Sequence, residues 1–95
     1  MLPAQRPRGS KTSLVFSVLL PQDGTTIFSA QVAAMFLSQG VTAFHISLLQ
    51  PQGAGAPAAV LVHAAVSDTQ QQVLYGALCD AAQESHEWQA LNTCI

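Results

Sequence analysis

The hydrophobic pattern of this chain switches between the two-residue period of strands and the 3.6-residue period of helices. The order in which these patterns follow each other constrains the fold more than any other feature of the sequence. Apolar side chains alternate over residues 13–20, 42–50 and 58–66, which predicts three strands. Apolar residues at helical spacing follow the first and the third of these strands, which predicts two helices. Residues 88–95 are expected to form a fourth strand. The order β-α-β-β-α-β predicts an α+β fold, the ferredoxin-like sandwich with two helices on one face of a four-stranded antiparallel sheet.

Both expected helices carry boundary signals. Thr25 or Thr26 is the predicted cap of the first helix, which runs to about Gln39 and stops at Gly40. The second helix begins at Ser67 or Asp68, where residues 67–70 fit a capping box. The first helix is apolar almost all round, and we therefore expect it to be buried on more than one side. Its two apolar stripes are Ile27, Ala30, Ala34 and Leu37, and Phe28, Val32, Met35 and Phe36.

Charge is scarce and unevenly distributed. Apolar residues make up 49% of the 95-residue chain and charged residues 8%, a composition that excludes disorder and suits one domain. The only basic side chains are Arg6, Arg8 and Lys11, in an expected disordered or linker tail of residues 1–11. The single ferredoxin-like domain expected over residues 12–95 holds all five acids, Asp23, Asp68, Asp80, Glu84 and Glu87.

This charge distribution excludes several functions for the folded part. Nucleic-acid binding and phosphate clamping need cationic side chains, and a Schiff base needs a lysine, but residues 12–95 contain neither lysine nor arginine. No apolar run approaches the ~20 residues of a membrane span. Two cysteines fit a reducing or an oxidising compartment, and we expect a cytoplasmic one; whether Cys79 and Cys94 pair stays open, since sequence alone does not place their Cα atoms.

The sheet face away from the helices is expected to be too apolar to stand in water. We expect either a homodimer or another domain of a larger protein to cover it. Its apolar members are Val15, Leu19, Ala43, Leu49, Ala59, Leu61 and Ala65.

Two histidines are expected to face each other on that surface. A hairpin centred on Ala54 pairs His45 with His63, with Cβ atoms about 5 Å apart. Two ligands without a third make a poor metal site, so we expect no metal and interpret the pair as interface residues with satisfied nitrogens. A metal site, completed by four histidines in a face-to-face dimer, and a pH switch are the alternatives.

Three stretches, residues 13–18, 22–24 and 38–42, resemble the ACT family of small regulatory domains, and the resemblance covers about residues 13–95. It implies a domain that pairs and binds an amino-acid-like effector at the first strand–helix loop, Gln22, Asp23, Gly24, Thr25 and Thr26. Glycine and helix N-terminal amides suit a carboxylate there, and Asp23 suits an ammonium group. The alternative is an ordinary turn with a capping threonine.

These observations predict a non-catalytic regulatory or dimerisation module without a cofactor. One alternative is a structural interaction domain of a larger protein, including the ACT-like tails of membrane transport-linked proteins. Another is a small dimeric α+β barrel enzyme that uses a histidine as base. We expect no enzyme, because no nucleophile–base–acid arrangement and no paired carboxylates are readable in the sequence.

Overall fold

The elements follow the predicted order. The computed structural model describes residues 10–49 and 51–94, so nearly all of the predicted tail lies outside the described residues. The strands are β1 (Thr12–Leu20), β2 (His45–Leu49), β3 (Ala58–Val66) and β4 (Gln89–Ala90). The helices are α1 (Thr25–Ser38) and α2 (Asp68–Glu84), and a short 3-10 turn, Gln22–Gly24, precedes α1.

The strands form one antiparallel sheet in the order β2-β3-β1-β4. The two long strands, β1 and β3, lie in the middle and pair along their whole length, from Thr12 opposite Val66 to Leu20 opposite Ala58. The α+β class, the four-stranded antiparallel sheet and the two helices agree with the sequence prediction. Strand β3 has the bounds that its alternation predicts.

The core lies between one face of the sheet and the two helices. Every second residue of β1 and β3 is buried, as the alternation predicts. These side chains meet Phe28, Val32 and Phe36 of α1 and Leu74 and Leu78 of α2 in one cluster. The sheet's contribution is Leu14, Phe16, Val18, Leu20, Val60, Val62, Ala64 and Val66.

Helix α1 begins without the predicted threonine cap. Gly24 is its N-cap, and no side chain caps the first turn. The Thr25 hydroxyl instead donates to the Gln22 carbonyl at 3.3 Å, because the 3-10 turn runs directly into the helix. The predicted stop is confirmed, since Gly40 takes a φ of 75°, which glycine adopts without strain.

Helix α2 begins with the predicted capping box. The Ser67 hydroxyl accepts from the Gln70 amide at 3.1 Å, and the Gln70 side-chain oxygen accepts from the Ser67 amide at 2.9 Å. The Gln70 side-chain amide also donates to the Gln39 carbonyl at 3.1 Å. One glutamine therefore closes the start of α2 and ties it to the end of α1.

Two strand predictions are wrong in extent. Strand β2 begins at His45 and not at residue 42, because Val41 turns into the core, where its amide donates to the Phe36 carbonyl at 2.9 Å. This leaves Ala43 outside the strand. Strand β4 is two residues long and does not span residues 88–95.

The side chain of Asn92 replaces the missing part of β4. Its carbonyl oxygen accepts from the Ser17 amide at 2.6 Å, and its amide donates to the Val15 carbonyl at 2.9 Å. Beyond it, the Tyr75 hydroxyl donates to the Thr93 carbonyl at 3.0 Å. The chain therefore leaves the sheet edge and turns toward α2, which ends the strand.

Replacement of Gly76 by alanine is expected to raise the free energy of unfolding by about 1 kcal/mol, because glycine is that much less favourable than alanine inside a helix. A Cβ at Gly76 meets no atom within 4 Å. The Gly40→Ala variant is the opposite control, since φ of 75° strains alanine and we expect destabilisation. Urea titration measures both, and a Gly76→Ala variant no more stable than wild type would contradict the expectation.

Candidate functional site

The candidate site is the sheet surface away from the helices, which we call the open face. It consists of the outward residues of β1, β2 and β3. Three of its apolar members are exposed, Val15 to 43%, Leu49 to 65% and Leu61 to 39%, whereas Leu19 is half-buried. The members are Ser13, Val15, Ser17, Leu19, His45, Ser47, Leu49, Ala59, Leu61, His63 and Ala65.

The open face contains no aspartate, glutamate, lysine or arginine. None of its members has a carboxylate, an ammonium or a guanidinium group. One row, Ser17, Leu61 and Ser47, places a leucine between two serines, and the row of Leu19, Ala59 and Leu49 is wholly apolar. A surface of this kind is poorly hydrated at its apolar members and offers no ion pair to a charged partner.

His45 and His63 are directly opposite each other in the β2–β3 ladder, as the sequence predicts. Val15 lies on the other side of His63 in the same row. Both histidines are exposed, and within the part of the chain that the structure describes neither imidazole makes a hydrogen bond or an ion pair. The interpretation of this pair as interface residues with satisfied nitrogens concerns a covered face, and it stays a prediction.

The inward side of β2 departs from the alternation. Leu48 is expected to face the core, yet 49% of its side-chain surface is exposed. Phe44 and Ile46 are half-buried and pack against the core cluster. Because β2 is the edge strand, its inward side lies at the margin of the helix layer, which covers β1 and β3 fully.

The predicted effector loop is placed beside the β2–β3 loop. The side-chain amide of Gln22 donates to the carbonyls of Gly53, at 3.1 Å, and Ala56, at 2.8 Å, so its donors are already used. Asp23 and Thr26 are exposed, and Gly24 and Thr25 are half-buried. A shallow cavity of about 290 Å³ adjoins the loop, lined by Pro21, Gln22, Asp23, Gly55 and Ala56. Effector binding here stays a prediction.

Helix α1 presents a second apolar surface, the α1 stripe, on the opposite side of the molecule. It consists of Ile27, Ala30, Ala34 and Leu37, and all four are exposed. The expectation that this helix is buried on more than one side is wrong for the single chain. Of the second predicted stripe, Phe28, Val32 and Phe36 are buried in the core, and Met35 is half-buried and packs against it.

Cys79 and Cys94 form a disulfide with Cα atoms 5.5 Å apart, which answers the question that the sequence left open.

Among residues 10–49 and 51–94, no three histidine, cysteine, aspartate or glutamate side chains lie close enough together to hold a metal ion. Neither of the two α-helices in the described ranges is long and apolar enough to cross a membrane.

Comparison of the chain with protein-family models, with curated proteins and with solved structures found no match. The resemblance to ACT domains therefore stays a prediction, and the functional argument rests on the surfaces of the fold itself.

Proposed function

We propose that this chain is a non-catalytic pairing module, a ferredoxin-like domain that forms a homodimer through its open face. The observation that carries the proposal is the exposure of Val15, Leu49 and Leu61 together on a sheet face without fixed charge. Exposed apolar patches rimmed by polar residues mark interaction sites on soluble proteins. The strand order β2-β3-β1-β4 supports the ferredoxin-like arrangement, which leaves this face uncovered.

A second copy of the chain is the favoured occupant because the face is complementary to itself. In a two-fold dimer the same patch serves both partners, so a neutral face always meets a neutral face. A face with fixed charges of one sign would repel its own copy, whereas this one carries only serine hydroxyls and two imidazoles besides its apolar groups. Any other partner would have to offer a comparable uncharged surface of its own.

The size of the face suits a small interface. Strands β1 and β3 have nine residues each and β2 has five, and at about 3.4 Å per residue and about 4.8 Å between strands they cover a flat area of about 380 Å². This is below the ~800 Å² per partner of a standard interface, so we expect a dimer at the weaker end of specific pairing. The predicted effector loop gives weaker support for a binding function, because the side-chain amide of Gln22 already donates its hydrogen bonds to the β2–β3 loop.

The Leu61→Lys variant tests the proposal. Leu61 is paired with both Ser17 and Ser47, in the interior of the face, and a buried unpaired ammonium there is strongly unfavourable. We expect sedimentation equilibrium to give wild type a mass of about 20 kDa, twice the 10.0 kDa of one chain, and the variant 10.0 kDa. The dimer dissociation constant should rise at least ~100-fold, which corresponds to ~2.7 kcal/mol.

The matched control is Leu37→Lys, which places the same charge on the α1 stripe. It should leave the dimer intact, and circular dichroism should show both variants folded, since both leucines are exposed. A monomeric wild type at millimolar concentration, or a dimer that Leu37→Lys dissociates and Leu61→Lys does not, would contradict the proposal. A monomer would favour the alternative of a domain that docks on a larger protein.

A further inference from the structure

We propose that His45 and His63 form half of a four-imidazole site for a zinc-class transition cation, and that two copies of the chain complete the site across the open face. This inference rests on the proposed pairing through that face. The two histidines supply ligands from adjacent strands at the same level of the ladder. A single chain offers two ligands, which is why residues 10–49 and 51–94 hold no group of three.

The spacing of the pair suits chelation. Directly opposed residues in an antiparallel ladder have Cβ atoms about 4.5–5.5 Å apart. Zinc–nitrogen bonds of about 2.0–2.1 Å in a tetrahedral site hold two ligand nitrogens a little over 3 Å apart. Two imidazoles on neighbouring strands reach this separation by leaning toward each other, and neither ring is tied to another group in the described part of the chain.

The position of the pair suits sharing between two copies. His63 is one residue from the midpoint of β3, and β3 with β1 forms the middle of the sheet. A two-fold axis that lies in the plane between the two facing sheets and runs along the row of His45 and His63 brings this pair against the same pair of the second copy. Packed sheets lie about 10 Å apart. A cation halfway between them is about 5 Å from each sheet, a distance that a histidine side chain spans.

The chemistry of the face selects the class of cation. Imidazole nitrogen is a ligand for zinc, copper and nickel, whereas magnesium and calcium prefer oxygen ligands. The open face has no carboxylate to hold the latter, and both cysteines are bonded to each other elsewhere.

Zinc-dependent pairing is the measurable consequence. Sedimentation equilibrium in EDTA and in zinc chloride gives the dimer dissociation constant, and isothermal titration calorimetry gives the stoichiometry. We expect one zinc ion per two chains and a dimer about 100-fold tighter when free zinc is about 100 times its dissociation constant. The His45→Gln and His63→Gln variants should each lose both effects and still fold, since both side chains are exposed.

His86→Gln is the matched control, because His86 is the third histidine of the chain, follows α2 and is not one of the open-face residues. It should respond to zinc as wild type does. Zinc binding that survives either open-face substitution, a stoichiometry of one ion per chain, or no tightening of the dimer would overturn the inference. A wild-type dimer in EDTA that zinc does not tighten leaves the proposed pairing intact, whereas a wild type that is monomeric under all conditions removes both.

Discussion

Loss of the Cys79–Cys94 disulfide is expected to lower the free energy of unfolding by about 3 kcal/mol. The two cysteines are separated by 15 positions in the sequence, and closing a loop of about 15 residues removes that much conformational entropy from the unfolded chain. The total stability of a domain is only about 5–15 kcal/mol, so this is a large part of it. Urea denaturation with and without a thiol reductant measures the difference.

The same loss should have a local effect at the sheet edge. The bond holds the end of the chain against α2, and the chain on its way there places Asn92 on the backbone of Ser17 and Val15. We therefore expect hydrogen exchange at the Ser17 amide to quicken on reduction. The control is a Cys79→Ala/Cys94→Ala variant, which should be insensitive to reductant. A wild type equally stable in both conditions would contradict the prediction.

The second large effect is expected from Phe28→Ala, which should lower the free energy of unfolding by about 3–5 kcal/mol, the usual cost of truncating a buried phenylalanine. Phe28 is fully buried on α1, and its ring packs edge-on against Trp88 with centroids 4.9 Å apart. Removal leaves a cavity between the first helix and the segment after the second. Because Trp88 is the only tryptophan, its fluorescence should shift as its surroundings loosen.

Two controls sharpen this measurement. The Phe28→Leu variant keeps most of the volume and should lose less than about 1.5 kcal/mol. Ile27→Ala truncates the neighbouring residue of the same helix, which is 62% exposed, and should change stability by no more than about 0.5 kcal/mol. If Ile27→Ala is as damaging as Phe28→Ala, the assignment of the core side of α1 is wrong.

The parts of the fold that the sequence predicts are those with local causes. Alternation predicts the buried side of β1 and β3 because one face of a sheet strand must enter the core. The loop centred on Ala54 predicts that His45 pairs with His63 because a hairpin's register follows from its turn. The capping box at Ser67 and Gln70 needs only residues three positions apart.

The failures have causes that are distant in sequence. Strand β4 ends early because Asn92 bonds to β1, some 75 positions away, and because Cys94 is bonded to α2. Leu48 is exposed because its strand lies at the edge of the sheet, which alternation does not reveal. For the candidate site, exposure and pairing of the histidines follow from the sequence, whereas the freedom of their nitrogens required the three-dimensional arrangement.

The position of the α1 stripe bears on how far assembly can proceed. A dimer formed through the open face carries two α1 stripes, one on each outer side. Each stripe is apolar and can therefore pack against the α1 stripe of another dimer. The dimer forms first. At higher concentrations, at which the α1 stripes of different dimers also meet, this second self-complementary contact adds further copies in a ring or an open chain, according to the angle between the two axes. The chain carries little charge that would keep dimers apart. We therefore expect the α1 stripe, and not the covered sheet, to limit the concentration at which the protein stays dispersed.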